Sequence, residues 1–327
     1  MVNKMERHIE KAVICTLLCG CIFSFISCGS RSRQTKSAAQ DFPFIKVPAM
    51  MTEPGQIAEY MAGRFWAPYC DSAAVWTRDT LYVGGIWRDD FVAAYRQWAT
   101  LLWMLNPLIA QKSVEQNLRY FQALHDSIPD TGAYPLFLDL CEEYFYGVNS
   151  TFRNEQLYLP VVRLRVKEMR KDSVLHDKYA KQLECCSLNQ IGTVASDFDF
   201  TDKRGRRGSL HKIRAPYTLL FFSNPGCNAC KQIIDKLNAS QKVAELTGKG
   251  RLAVLNVYID ENPDEWYKYM PIYPDSWTNA YDEDLEIRTN TLYDVRAIPS
   301  LYLLDADKKV IFKDLPDNRL IDLLEML

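Results

Sequence analysis

The chain has 327 residues, enough for two ordinary domains or one large one, each with its own core. A hydrophobic fraction of 48% and a charged fraction of 24% exclude a disordered polymer. A formal net charge of −2 provides no global field for nucleic acid or an anionic membrane surface.

Lys4, Arg7 and Lys11 form a basic start, after which residues 12–27 run apolar with Thr16, Ser24 and Ser27 as mild interruptions. That run is shorter than the roughly 20 residues a membrane-spanning helix needs, and residues 1–27 read as an export signal. Its end, Phe25-Ile26-Ser27-Cys28-Gly29-Ser30, resembles a bacterial lipobox, with Phe25 where leucine is more usual. The resemblance implies that Cys28 is lipidated and becomes the mature N-terminus. An ordinary cleaved signal and a short uncleaved anchor are the alternatives. Residues 28–40 are small, polar and basic, the composition of a flexible tether. Of ten cysteines, Cys15, Cys19 and Cys21 leave with the signal, and Cys70, Cys141, Cys185, Cys186, Cys227 and Cys230 remain. An oxidising compartment permits disulfides among them.

Residues 41–190 carry a helical period. Phe91, Ala94, Tyr95, Trp98, Leu102 and Leu105 share one stripe at spacings of three and four. Val114, Leu118 and Phe121 continue it, followed by Phe137, Leu140, Cys141 and Tyr144, then Leu175, Tyr179, Leu183 and Cys186. Asn154 before Glu155 and Gln156 predicts a helix start, and Pro160 predicts a kink or restart soon after. Trp87, Trp98 and Trp103 read as packing residues of this all-α domain. Adjacent Cys185 and Cys186 read as buried thiols, with a disulfide to Cys70 or Cys141 as the alternative.

Residues 191–327 change texture to strands and turns. The 197–200 segment alternates, Gly205 and Gly208 mark a hairpin turn, and 217–222 and 251–259 are continuous apolar runs suited to buried strands. Residues 300–304 and 309–312 flank the turn Asp305-Ala306-Asp307-Lys308, and 318–327 reads as a closing helix. The order is strand, helix, strand, helix, hairpin, helix.

Cys227-Asn228-Ala229-Cys230 follows the 217–222 strand and a Ser-Asn-Pro-Gly turn, and helical spacing resumes at Ile233, Ile234 and Leu237. Cys227 therefore lies at a helix start, where unpaired amides and the helix dipole favour a thiolate. Cys230 lies one turn on, within bonding reach, and can resolve a mixed disulfide. Zinc would need two further ligands, and His125, His176 and His211 are not at ligand spacing, so no metal is expected. A peroxidatic site is disfavoured because Asn224 stands where threonine would be. Ala297-Ile298-Pro299-Ser300 leads straight into a strand. A proline there tolerates a cis bond, although a trans proline opening the strand is the plainer alternative.

Residues 192–327 resemble the TlpA/ResA-type thioredoxin-like family. The chain from Cys28 onward resembles Bacteroidota lipoproteins that join a helical domain of unknown function, the DUF5106 type, to a thioredoxin-like α/β domain. Ser150-Thr151-Phe152-Arg153-Asn154-Glu155, the 217–222 strand, the CxxC and 292–299 carry this likeness. It implies Cys227 as nucleophile, Cys230 as resolving thiol, and Ile298 and Pro299 as a cis-proline substrate loop. It also implies protein-disulfide clients, reductive action, no cofactor, and a membrane electron donor for re-reduction. In such lipoproteins, acidic residues after the lipidated cysteine accompany an outward-facing position. Arg31, Arg33 and Lys36 stand here instead, which favours a periplasm-facing place in the cell envelope, at the outer membrane.

Departures from the family pattern are plain. Gly226 precedes the first cysteine, Asn228-Ala229 replaces Gly-Pro, and Phe221 and Ile233 occupy places where relatives carry an acid. Asp260, at the end of its strand, is then the carboxylate offered for proton relay. These same departures leave a second reading open, a thioredoxin-fold scaffold without catalysis.

Overall fold

The computed structural model describes residues 40–72, 81–313 and 317–327. Residues 1–27, read above as an export signal, together with Cys28 and nearly all of the expected tether, lie outside the described residues. The chain divides into two compact units at Lys171/Asp172, ahead of the 190/191 boundary expected from periodicity.

The first unit is largely helical, with α1 (Pro54–Arg64), α2 (Ala67–Cys70), α3 (Arg88–Met104), α4 (Pro107–Ser127), α5 (Ala133–Cys141) and α6 (Glu155–Glu168). The stripe on α3 is buried as its spacing predicts, and α5 runs on into a π-helical turn at Glu142–Tyr146. Between α2 and α3 lies a hairpin that helical periodicity did not anticipate. Its strands β1 (Tyr82–Val83) and β2 (Ile86–Trp87) turn through Gly84 and Gly85, both at positive φ.

Asn154 caps α6, its Oδ1 accepting from the amides of Gln156 at 3.0 Å and Leu157 at 3.3 Å. Pro160 does not restart the helix: α6 is one element through it. Losing the proline's backbone donor costs about 3 kcal/mol. Leu157, Tyr158, Leu159, Val161 and Val162 are all buried around it, each contributing roughly 1.5–3 kcal/mol. Packing wins.

The centre of this unit is aromatic. Trp66 is wholly buried, with ring centroids 4.7 Å from Phe91, 5.3 Å from Phe121 and 5.6 Å from Phe137. Trp98 is also fully buried, whereas Trp87 and Trp103 are half-buried. Buried Asn117 on α4 ties the end of α1 to this core. Its Oδ1 accepts from the Trp66 amide at 3.1 Å, and its Nδ2 donates to the Ala62 carbonyl at 2.8 Å.

The second unit opens with α7 (Ser173–Cys186) and the hairpin of β3 (Asp199–Asp202) and β4 (Arg207–Ser209). There follow β5 (Tyr217–Phe222), α8 (Asn228–Ala239), α9 (Gln241–Gly248), β6 (Leu252–Tyr258) and α10 (Pro263–Tyr269). The chain ends with β7 (Thr278–Tyr281), α11 (Glu286–Thr289), β8 (Ser300–Leu304), β9 (Val310–Lys313) and α12 (Asp317–Glu325). One mixed sheet runs in the order β4-β3-β7-β6-β5-β8-β9. Its centre β5-β6-β7 is parallel, while β8 and β9 on one side and β3 and β4 on the other are antiparallel. The expected order of elements holds, with β7 added.

Each strand sends alternate side chains to opposite faces. Leu220, Phe222, Leu255, Val257, Ala280 and Tyr302 pack on one face with Phe198, Ile287 and Tyr293. Leu219, Phe221, Val254, Asn256, Asn279 and Leu301 point to the other. There α8, α9 and α12 touch one another, and α9 touches β6.

Candidate active site

Strand β5 is buried along nearly its whole length and ends at the turn Ser223-Asn224-Pro225-Gly226. Gly226 sits at φ 74°, and no atom lies within 4 Å of where a Cβ would stand, so the turn needs glycine for its backbone angle, not for space. The next residue, Cys227, is the N-cap of α8, its Sγ accepting from the Cys230 amide at 3.2 Å. A side-chain acceptor is what a helix start lacks, and here sulfur supplies it.

Cys227 and Cys230 form a disulfide, with Cα atoms 5.2 Å apart. The two sulfurs are unequal: Cys227 is half-buried, whereas Cys230 is 1% exposed beneath the first turn. Phe222 pairs with Ser300, so the antiparallel register of β5 and β8 brings the residues before β8 to the dithiol. The Ile298–Pro299 bond is cis, and the Ile298 carbonyl oxygen lies 3.8 Å from Cys227 Sγ. Four of the residues singled out in the sequence thus meet in one place: Cys227, Cys230, Ile298 and Pro299.

Asp260 is engaged elsewhere. It accepts from the Asn224 side-chain amide and forms an ion pair with Arg288. Lys231 pairs with Asp235 one turn along α8, at 2.6 Å. Burial pushes the Cys141 thiol up to about 12 and raises that of Cys70 as well, which leaves both poor nucleophiles. Cys185 and Cys186 are both buried. Among the described residues no group of three or more His, Cys, Asp or Glu side chains could hold a metal ion.

Periodicity did not reveal a buried polar cluster on the sheet face that carries Asn256 and Asn279. Ser223 Oγ donates to Asn256 Oδ1 at 2.5 Å and lies 3.5 Å from the Tyr273 hydroxyl. Asn256 Nδ2 donates to Asn279 Oδ1 at 3.2 Å, and Asn279 Nδ2 donates to the Pro274 carbonyl at 2.9 Å. All four side chains are buried. Burial raises the Tyr273 hydroxyl above its ordinary range, partly offset by its hydrogen bonds to Ser223 and Asn256. The sequence signal was there: Asn256 is the one polar residue in the apolar run 252–259 apart from the Tyr258 hydroxyl.

A mixed sheet, a CxxC disulfide at a helix N-cap and a cis-proline beside it define a thioredoxin-like protein. Family models agree: a domain of unknown function (DUF5106) matches residues 27–189, and a thioredoxin-like model matches 216–310. A thioredoxin-like protein from Bacteroides caccae is 30% identical, with a TM-score of 0.72 over 87% of this chain and 98% of that one. The chain belongs to the same thioredoxin-like family as that protein. Two further solved structures match part of the chain. The C-terminal domain of an uncharacterized protein from Bacteroides fragilis is 44% identical, covering 42% of this chain and 97% of its own, with a TM-score of 0.41. A thiol:disulfide interchange protein from Bacteroides sp. is 23% identical, covering 42% and 88%, with a TM-score of 0.37. No curated protein matches this chain.

Proposed function

We propose that this protein is a lipid-anchored, periplasm-facing thiol–disulfide oxidoreductase that reduces protein disulfides through Cys227 and Cys230. One observation carries the reading: a half-exposed sulfur caps a helix, its partner sulfur is buried one turn away, and a peptide carbonyl of the cis-proline loop stands 3.8 Å from the first. In the reduced protein the Cys227 thiolate attacks a client disulfide. A new sulfur–sulfur bond forms to Cys227 and one client thiolate leaves. Cys230 then gives up its proton and attacks Cys227 Sγ, which releases the second client thiolate and closes the Cys227–Cys230 disulfide. Two electrons pass to the client, and a membrane donor restores them.

Anchorage through Cys28 rests on the basic start, the apolar run and the small residues around that cysteine. No helix among the described residues is long and apolar enough to cross a membrane. The test is insulin disulfide reduction by the detergent-solubilised full chain with dithiothreitol as electron source. Cys227→Ser should abolish it; equal turnover in the variant would remove the enzymatic reading. The scaffold reading is favoured by Phe221 and Ile233, apolar and buried where an acid would serve. It predicts a disulfide potential below about −300 mV, resistant to dithiothreitol.

A further inference from the structure

The stretch 150–155, singled out in the sequence, takes no part in the dithiol chemistry. Its first three residues line a cleft in the first unit, together with Arg96 of α3 and with Glu143 and Tyr144 of the π-helical turn. At about 540 Å³ the cleft falls in the size range of small-molecule sites.

Backbone geometry holds its walls. A π-helical turn is an uncommon local structure that recurs at functional sites. Just after this one the chain doubles back so tightly that a Cβ at Gly147 would stand 2.3 Å from the Glu143 carbonyl oxygen. That oxygen belongs to the backbone and cannot give way, so the reversal needs glycine. Ser150 Oγ then donates to the Tyr144 carbonyl at 2.5 Å and accepts from the Phe152 amide at 3.1 Å. The Asn154 amide donates to the Phe145 carbonyl at 2.9 Å. The Tyr144 and Phe152 rings stack at 5.7 Å, and Tyr95 backs Tyr144 edge-on at 5.0 Å. The aromatic wall is fixed before any ligand arrives, which lowers the ordering cost of binding.

Two charged side chains of opposite sign line the cleft. Arg96 Nε donates to the Tyr144 hydroxyl at 3.4 Å, which steers the guanidinium and leaves its Nη fork without a partner among the described residues. Glu143 is exposed, and its carboxylate likewise makes no hydrogen bond or ion pair among those residues. The two do not pair with each other. A guanidinium only donates and a carboxylate only accepts, so one ligand satisfies both by bringing an anion and a cation. The amides of Asn149 and Thr151 also lack acceptors among the described residues and remain for a carbonyl. Phe152, half-buried, offers apolar surface beside them.

We propose that this cleft binds short peptides with both termini free. The terminal carboxylate sits on the Arg96 fork, the terminal ammonium on Glu143, and an apolar side chain against Phe152. The site belongs to the first unit and stands whether or not the dithiol turns over.

Isothermal titration calorimetry of the detergent-solubilised full chain with the dipeptide Ala-Phe, at two temperatures, tests this. Saturable binding is expected, weakened about tenfold or more in Ala-Phe amide and in N-acetyl-Ala-Phe, because each loses one charge-assisted contact. Arg96→Gln should weaken Ala-Phe by the same factor and leave Ala-Phe amide unchanged. Glu143→Gln should do the same to Ala-Phe and leave N-acetyl-Ala-Phe unchanged. Both side chains are exposed, so neither substitution threatens the fold. No saturable heat with Ala-Phe, or undiminished affinity in either variant, would overturn the proposal. Binding of maltose in place of Ala-Phe, lost in Arg96→Gln, would overturn it too and assign the cleft to saccharides.

Discussion

Urea unfolding of the disulfide and dithiol forms measures the direction in which the Cys227–Cys230 pair runs. Oxidation closes a ring between cysteines three apart in sequence. Cross-linking a loop of about four residues removes unfolded-chain entropy worth about 2 kcal/mol at 25 °C. The folded chain gives up little in return, because Cys227 is already the N-cap and Cys230 already lies in the first turn of α8. The disulfide form should therefore be the more stable by about 2 kcal/mol. A thermodynamic cycle converts this to a potential about 40 mV below that of the same pair in the unfolded chain. A bond favoured by folding resists reduction, so the corresponding dithiol is a willing electron donor. Circular dichroism melts in urea, with and without excess dithiothreitol, should show a higher midpoint for the disulfide form and similar slopes. A dithiol form that outlasts the disulfide would refute the reductive direction and make the protein a disulfide donor.

Two further perturbations test the scaffold. Asn117→Ala removes the acceptor of the buried Trp66 amide, while the Ala62 carbonyl keeps its bond from the Trp98 indole at 2.9 Å. One orphaned donor and a small cavity should cost about 2–4 kcal/mol in guanidinium unfolding, and a loss under about 1 kcal/mol would show that the site relaxes. Lys308 is 4% exposed, donates to Thr218 Oγ1 at 3.1 Å, and burial holds it below its ordinary 10.5. Between its folded and unfolded values the unfolded chain binds more protons, so this lysine's contribution to stability rises with pH through that window. The melting temperature of the unsubstituted chain should gain on that of Lys308→Met as pH climbs towards 10.5. A difference independent of pH would contradict it.

Long periodic segments announced themselves. The α3 and α4 stripes, the Asn154 cap and the buried runs of β5 and β6 all carry local patterns strong enough to read without tertiary help. The dithiol was legible for the same reason, since its helix start and its turn are contiguous in the chain. Shorter elements were not. β1 and β2 span two residues each, too few to show any period. β7 reads Thr-Asn-Ala-Tyr and becomes a strand only because β6 and β3 pair with it from either side. Asp260 looked available because Arg288, which claims it, arrives from α11 through the fold. Ser223, Asn256 and Tyr273 sit on three separate segments, and no linear pattern joins them. Pro160 misled because the rule for proline weighs a lost donor and says nothing of how much apolar surface surrounds it.

The inequality of the two sulfurs has a consequence for traffic. With Cys230 sealed beneath the first turn, an incoming macromolecule can meet only Cys227. The proposed client and the proposed electron donor must then use one doorway in turn, and neither can be held while the other is engaged. Double-displacement kinetics, with each partner inhibiting competitively against the other at high concentration, is the behaviour such a single-entrance molecule is obliged to show.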